Sequence, residues 1–231
     1  MKLIWLNSPG NPTGRVDGAA WMRDVVALAR RIGAVVASDE CYAELPWDVE
    51  DVPSVLDPRV SADEQGAPDH SGLLAVYSAS KQSNLAGYRA AFAAGCPELI
   101  AGLVNTRKHA GMIMPAPVQE ALRVALTDEQ HVEEQRELYR ARRDKLVPGL
   151  KAAGLEIEHS AAGLYLWCRD AQTDPAEATA ADTWALVARM AELGIVVGPG
   201  VFYGEHGNGY IRVALTASDE RIEAAVSRLT S

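Results

Sequence analysis

"GLLAVYSASKQSNLAGYRAAF", residues 72–92, runs an apolar stretch from Leu73 to Val76 into a hydroxyl-rich turn that holds Lys81, with Arg89 eight positions later. An unbroken apolar run of this length reads as a strand buried on both faces. A lysine at its end is either a solvated turn residue or a reagent, and the ends of the neighbouring strands decide between the two. Upstream, "KLIWLN" (residues 2–7) stops at the Pro/Gly/Asn cluster "SPGNPTG" (8–14), and "AVVASDECY" (34–42) is a second apolar run ending in polar groups. Between them, "VDGAAWMRDVVALARRIG" (16–33) carries Trp21, Val25, Leu28, Ala29 and Ile32 at helical spacing and stops at Gly33. Strand, helix, strand, with near-continuous apolar strands, predicts an α/β fold built on a parallel sheet covered on both faces.

Downstream, "AAFAAG" (90–95) predicts a further strand, and "PELIAGLVNTRKHAG" (97–111) and "PAPVQEALRVAL" (115–126) predict helices, the latter with Pro117 in its first turn. Thr127 and Gln130 form a candidate capping box for a long charged helix over residues 128–154, which Pro148 is expected to kink or divide. From about residue 155 the pattern changes to short strands ("LEIEHS", "GLYLWCR", "IVVGPG", "YIRVAL") around the helix "DTWALVARMAELG", closing with the helix "SDERIEAAVSRL". Residues 170–182, "DAQTDPAEATAAD", read as a surface loop. The expected organisation is a large-domain portion over 1–127, then a connecting helix and a small α+β domain over 128–231.

Composition narrows the classes of function. The 231 residues are 48% hydrophobic and 23% charged, ordinary for a globular chain. A formal net charge of -9, spread along the chain, argues against nucleic acid as a partner. No apolar run is long enough for a membrane span, so no membrane partner is expected. Cys41, Cys96 and Cys168 form neither a CxxC pair nor an even framework, which suits a reducing cytoplasm. The 5 histidines show no ligand spacing, so no metal site is expected.

The three strand ends, in this order, carry Asn11-Pro12-Thr13-Gly14, then Asp39 with Tyr42, then Ser78-Ala79-Ser80-Lys81 running on through Gly87 to Arg89. This series resembles the fold-type-I pyridoxal-phosphate aminotransferases, and "GYIRVALTAS" supplies a late-strand arginine, Arg212, that the resemblance also requires. Taken singly, each residue has a bland reading as turn, cap or surface ion pair; together they resemble a cofactor site. The resemblance implies pyridoxal 5'-phosphate as cofactor, with the Lys81 amine bonding its aldehyde and later moving the substrate α-proton. It assigns Asp39 to the ring nitrogen, where a carboxylate keeps that nitrogen protonated, and Tyr42 and Asn11 to the ring's phenolate oxygen. It assigns Arg89, Ser78 and Ser80 to the phosphate, and Arg212, with Asn11, to the substrate's α-carboxylate. The implied fold is part of the parallel-sheet large domain plus the C-terminal α+β small domain.

"SASKQSNLAGYRAAFAAG", "RKHAGMIMPAPVQEAL" and "VGPGVFYGEHGNGYIRVALTASDERI" are similar to the succinyldiaminopimelate aminotransferases of actinobacteria. That narrower resemblance implies amino transfer between glutamate or 2-oxoglutarate and N-succinyl-LL-2,6-diaminopimelate, in lysine and diaminopimelate biosynthesis. Another class I/II aminotransferase, a lyase using the same cofactor, and an inactive C-terminal fragment stay open beside it. Tyr165, Phe202 and Tyr203 read first as buried aromatics of the small domain and second as neighbours of the substrate. Members of the resembled family carry more chain before the NPTG turn, including a glycine-containing phosphate loop. The expectation is therefore an N-terminally truncated chain with weak cofactor affinity and little turnover alone, homodimeric if that N-terminal part is present.

Overall fold

A computed structural model of the protein describes residues 2–63 and 65–231. The chain divides into two compact units, Met1–Pro9 with Val16–Gln135, and Gly10–Arg15 with Arg136–Ser231. The division falls inside the long helix, and it gives the turn 10–15 to the second unit while its flanks belong to the first.

In the first unit, β1 (Leu3–Asn7), β2 (Val35–Asp39), β3 (Leu73–Ser78) and β4 (Ala91–Gly95) form a sheet in that order. β1, β2 and β3 are parallel, and their register places Asn7 opposite Asp39, and Asp39 opposite Val76. Their C-terminal ends, with the polar residues read from the sequence, therefore share one edge of the sheet. β4, expected as a further strand with no direction assigned, pairs antiparallel with β3, Ser78 opposite Ala91. The cause lies in the connection: β3 passes into the short helix α3 (Ala79–Gln82) and a 3-10 turn at Ala86–Tyr88, closed where the Ala79 N–H donates to the Ala90 carbonyl (3.2 Å). That short closed return replaces the long crossover a parallel neighbour needs.

Helix α1 (Ala19–Ile32) buries Met22, Val26 and Ala29 and ends at Gly33 in the left-handed conformation. Together with Leu6, Val36, Leu73 and Ala75 from the strands, and Val55 and Val60 from the segment around α2 (Pro58–Ser61), these side chains form the core. The expected cover on both faces does not extend to β1, where alternation turns Leu3 and Trp5 outward with 51% and 58% exposure. Helices α4 (Pro97–His109) and α5 (Ala116–Thr127) follow, and Leu122 of α5 packs with Ala79 and Ala90 beside α3.

Helix α6 (Glu129–Ala152) corrects the expected cap. Its first amides are capped by Asp128, whose Oδ1 accepts from the N–H groups of Gln130 (3.2 Å) and His131 (3.5 Å). Thr127 instead ends α5, its hydroxyl donating back to the Arg123 and Val124 carbonyls. Asp is as good a cap as Thr and sits one residue nearer the helix. Pro148 lies inside α6 without dividing it.

In the second unit, β5 (Leu155–Glu158), β6 (Tyr165–Asp170), β7 (Gly198–Pro199) and β8 (Tyr210–Ala214) form a second sheet, ordered β5-β6-β8-β7. Its pairings are antiparallel. Helices α7 (Ala180–Glu192) and α8 (Asp219–Leu229) contribute Leu186, Met190, Ile222 and Leu229 to the interior with Leu166, Ile211 and Leu215. β7 is far shorter than the expected "IVVGPG" strand, and Val196 within that stretch is fully exposed. The turn 10–15 is bound into this unit by its backbone: Ser160 N–H donates to Thr13 O (3.2 Å), and Ala161 and Ala162 N–H both donate to Gly14 O (3.0 Å each). Gly14 has φ +69, and a Cβ there would lie 2.5 Å from the Ala162 carbonyl oxygen, so only glycine fits.

Candidate active site

The first unit gathers most of the nominated side chains at the C-terminal edge of its parallel strands, the edge where ligands of open α/β sheets bind. Asp39 ends β2, and its Oδ1 accepts from the Cys41 N–H (3.2 Å), which holds the carboxylate in the turn that follows. Tyr42, buried in that turn, presents its ring to Lys81, whose Nζ lies 5.7 Å from the ring centroid. Lys81 stands on α3, directly after β3. Ser78 caps α3: its Oγ accepts from the Ser80 N–H (3.2 Å) and donates to the Ala90 carbonyl (3.2 Å), with Ser80 Oγ 2.8 Å away.

Cys41 had no role in the reading of the sequence, yet it sits among these groups. Burial pushes its thiol up to about 12, and the hydrogen bond and charge of Asp39 push the same way. The Ser78 backbone and the Lys81 charge pull it down, so the Asp39 carboxylate and the Lys81 amine both act on the thiol. Its position in Asp39-Glu40-Cys41-Tyr42 was the available signal. Glu40, also unassigned from sequence, is buried and accepts from the Val55 N–H (2.7 Å), tying the strand end to the following loop.

Arg89 is placed differently. It occupies the left-handed region (φ 55), uncommon for a residue with a side chain, and its Nη1 donates to the Ala86 carbonyl (2.9 Å). Ala90, its chain neighbour, accepts from Ser78, so the backbone at Arg89 is brought beside the serine turn while its guanidinium bonds the Ala86 carbonyl.

Asn11 and Arg212 lie in the second unit and meet there: Arg212 Nη1 donates to Asn11 Oδ1 (3.2 Å). Arg212 points from β8 on the face it shares with Tyr210, and β6 brings Trp167 opposite Arg212 and Tyr165 opposite Ala214. Trp167 stacks on Tyr210 (5.0 Å, 5°) and meets Tyr203 edge-on (5.4 Å). The Arg212 guanidinium lies 4.0 Å above the Tyr165 ring and 5.5 Å from that of Tyr203. Burial raises the Tyr203 phenol, and the Arg212 charge offsets part of that rise. Reading these aromatics first as buried core is thereby corrected: Phe202 is 74% exposed, Tyr203 is partly exposed, and Tyr165 is half-buried against the arginine.

The donor set at the sheet edge fits pyridoxal phosphate: an amine for the aldehyde, a carboxylate for the ring nitrogen, a phenol, and two adjacent hydroxyls for phosphate. Among the described residues, no group of three or more His, Cys, Asp or Glu is placed to hold a metal, and no helix is long and apolar enough to cross a membrane.

Comparison with known proteins gives the class. Residues 1–229 match the aminotransferase class I and II family, and the chain belongs to it. Members of that family with this fold, fold type I, depend on pyridoxal phosphate. Among curated relatives, the chain is 50% identical over 230 residues to the 4-dedimethylamino-4-oxo-anhydrotetracycline transaminase of Streptomyces rimosus, covering 100% of this chain and 60% of that one. It is 52% identical over 228 residues to a probable aminotransferase of Mycobacterium tuberculosis, covering 99% and 51%. The N-succinyldiaminopimelate aminotransferase of Mycobacterium tuberculosis superimposes with a TM-score of 0.82 at 26% identity, covering 99% of this chain and 58% of that one. The chain thus spans about half to three fifths of the length of these relatives.

Proposed function

We propose that the protein serves a pyridoxal-phosphate transaminase reaction that moves an amino group between an amino acid and a 2-oxo acid, with Lys81 as its reacting amine. The observation that carries this reading is the approach of Lys81 Nζ to the Tyr42 ring (5.7 Å), with Asp39 on the same strand end as Tyr42. When bound, pyridoxal phosphate supplies an aldehyde that bonds amines and a cationic ring that takes up the electron pair left by a departing α-proton. Lys81 is assigned the transfer of that proton, its neutral amine accepting it at Nζ and returning it. Asp39 is assigned the proton at the ring nitrogen, which an adjacent carboxylate stabilises. Tyr42 and Asn11 are assigned hydrogen bonds to the ring oxygen. Ser78, Ser80 and Arg89 are assigned the phosphate, and Arg212 with Asn11 the substrate carboxylate.

The finer reading is N-succinyl-LL-2,6-diaminopimelate as substrate with glutamate and 2-oxoglutarate as the second pair, in the cytoplasm. The superposition on the Mycobacterium tuberculosis enzyme supports it. A second reading, a larger cyclic ketone as amino acceptor, is favoured by the 50% identity to the Streptomyces rimosus transaminase. N-succinyl-LL-2,6-diaminopimelate offered with 2-oxoglutarate, and glutamate offered with a cyclic ketone, separate them.

The cofactor assignment is tested by borohydride reduction in saturating pyridoxal phosphate, followed by peptide mapping. The expected result is a pyridoxyl group on Lys81 in preference to Lys2, Lys108, Lys145 and Lys151, the other lysines. Labelling spread evenly over the five overturns the assignment.

A further inference from the structure

We infer that Tyr165 is a positioning residue for the carboxylate-binding arginine: its ring face sets the plane of the Arg212 guanidinium. The inference rests on the reading of Arg212 as the group that receives the substrate carboxylate. It arises from sheet register, which puts Trp167 directly opposite Arg212 and Tyr165 one diagonal step away on the same face. At that separation only long or aromatic side chains touch, and these two do, with the guanidinium carbon 4.0 Å above the ring centroid.

A guanidinium binds a carboxylate well because two parallel N–H groups meet two oxygens, and this works only when the plane is correctly turned. A long arginine side chain carries several rotatable bonds, so an unsupported fork spends most of its time misaligned. Here two contacts remove that freedom. Stacking on Tyr165 fixes the tilt of the plane, and the Nη1 bond to Asn11 Oδ1 (3.2 Å) fixes its rotation within the plane. Tyr203, 5.5 Å from the guanidinium, borders it on a second side without lying as close. Tyr165 therefore contributes its π face, which phenylalanine also has and leucine and methionine lack.

The test is binding of glutarate, which has the two carboxylates of 2-oxoglutarate without the keto group, followed by NMR titration of the full chain. Tyr165→Leu is expected to raise Kd about tenfold and Tyr165→Phe to stay within about twofold of the unaltered chain. Tyr165→Met, close in volume but without a ring, is expected to match the leucine variant and replaces it if Tyr165→Leu does not fold. Equal weakening by Phe and by Leu or Met overturns the inference, because the hydroxyl and not the ring would then matter. No weakening by Leu or Met overturns it as well. Arg212→Lys separates this failure from failure of the underlying reading. If Arg212→Lys binds glutarate as tightly as the unaltered chain, or the unaltered chain binds none, the carboxylate assignment is wrong and the inference falls with it.

Discussion

Replacing Gly14 by alanine tests the docking of the turn 10–15 most directly, with Gly154→Ala as its internal control. Both glycines have positive φ, +69 and +80, and both lie in the second unit. An L-residue in the left-handed region costs about 1–2 kcal/mol at either position. A Cβ at Gly154 meets nothing within 4 Å, so that backbone cost is the whole effect. A Cβ at Gly14 meets the Ala162 carbonyl oxygen at 2.5 Å and the Ser160 Cα at 3.1 Å. Both are backbone atoms that cannot swing aside, and forced overpacking of this kind adds about 1–3 kcal/mol. Gly14→Ala should therefore lose about 2–5 kcal/mol against about 1–2 for Gly154→Ala. For a chain of this size each kcal/mol moves the melting temperature by about 2–4 °C. Urea and thermal unfolding followed by far-UV circular dichroism read both variants on the same unit. Equal losses for the two would show that the contact with residues 160–162 carries no energy, and the docking argument would fail.

Two further outcomes concern the chain's other unusual positions. Burial raises the Glu40 carboxyl above its ordinary 4.5, outweighing the Val55 amide bond that lowers it. Its stabilising contribution is therefore complete below pH 4.5 and lost as pH climbs through the raised value. Relative to the native chain, Glu40→Gln should gain stability as pH rises above 4.5 and level off once pH has passed the raised value; a gap that narrows as pH rises from 4.5, by urea midpoint, contradicts the assignment. Pro148, exposed inside α6, lacks an N–H and crowds the carbonyl of Asp144. Pro148→Ala should raise stability by about 1–3 kcal/mol, and a lowered melting temperature would mean that α6 depends on the proline's geometry.

Much of the first unit is written locally. The apolar runs around Ile4, Val36 and Leu73 and the spacing of Val25, Leu28 and Ile32 specify strands and a helix without reference to distant parts. The polar residues that end β2 and β3 could be placed on one edge because parallel strands put their C-termini together. The direction of β4 could not be read, because "AAFAAG" suits either pairing and the closing bond from Ala79 to Ala90 is a tertiary outcome. Cys41 carries no signal in the sequence because a lone cysteine has no ligand spacing, and Ser78 and Lys81, which act on its thiol, come from the end of β3 and from α3. Tyr165 was misread for a similar reason. Its meaning depends on a register with β8 that brings it to a residue 47 positions away, Arg212. The motif places Arg89 in the chain but not its side-chain contact, since the bond from its guanidinium to the Ala86 carbonyl depends on the turn after α3.

Because the turn 10–15 joins the second unit while its flanks stay in the first, the polypeptide changes unit at three places. The smaller unit is thus not a detachable module at the level of the gene. A fragment beginning at Arg136 would keep the second sheet but leave the amides of Ser160, Ala161 and Ala162 without the Thr13 and Gly14 carbonyls they use. Ser160 and Ala162 are almost wholly shielded in the intact chain, at 2% and 0% exposure, so the fragment would lose three backbone hydrogen bonds, about 0.5–1.5 kcal/mol each, and open this packed stretch to water. Recombination that shuffles this half between relatives would have to carry a short hexapeptide from far upstream along with it.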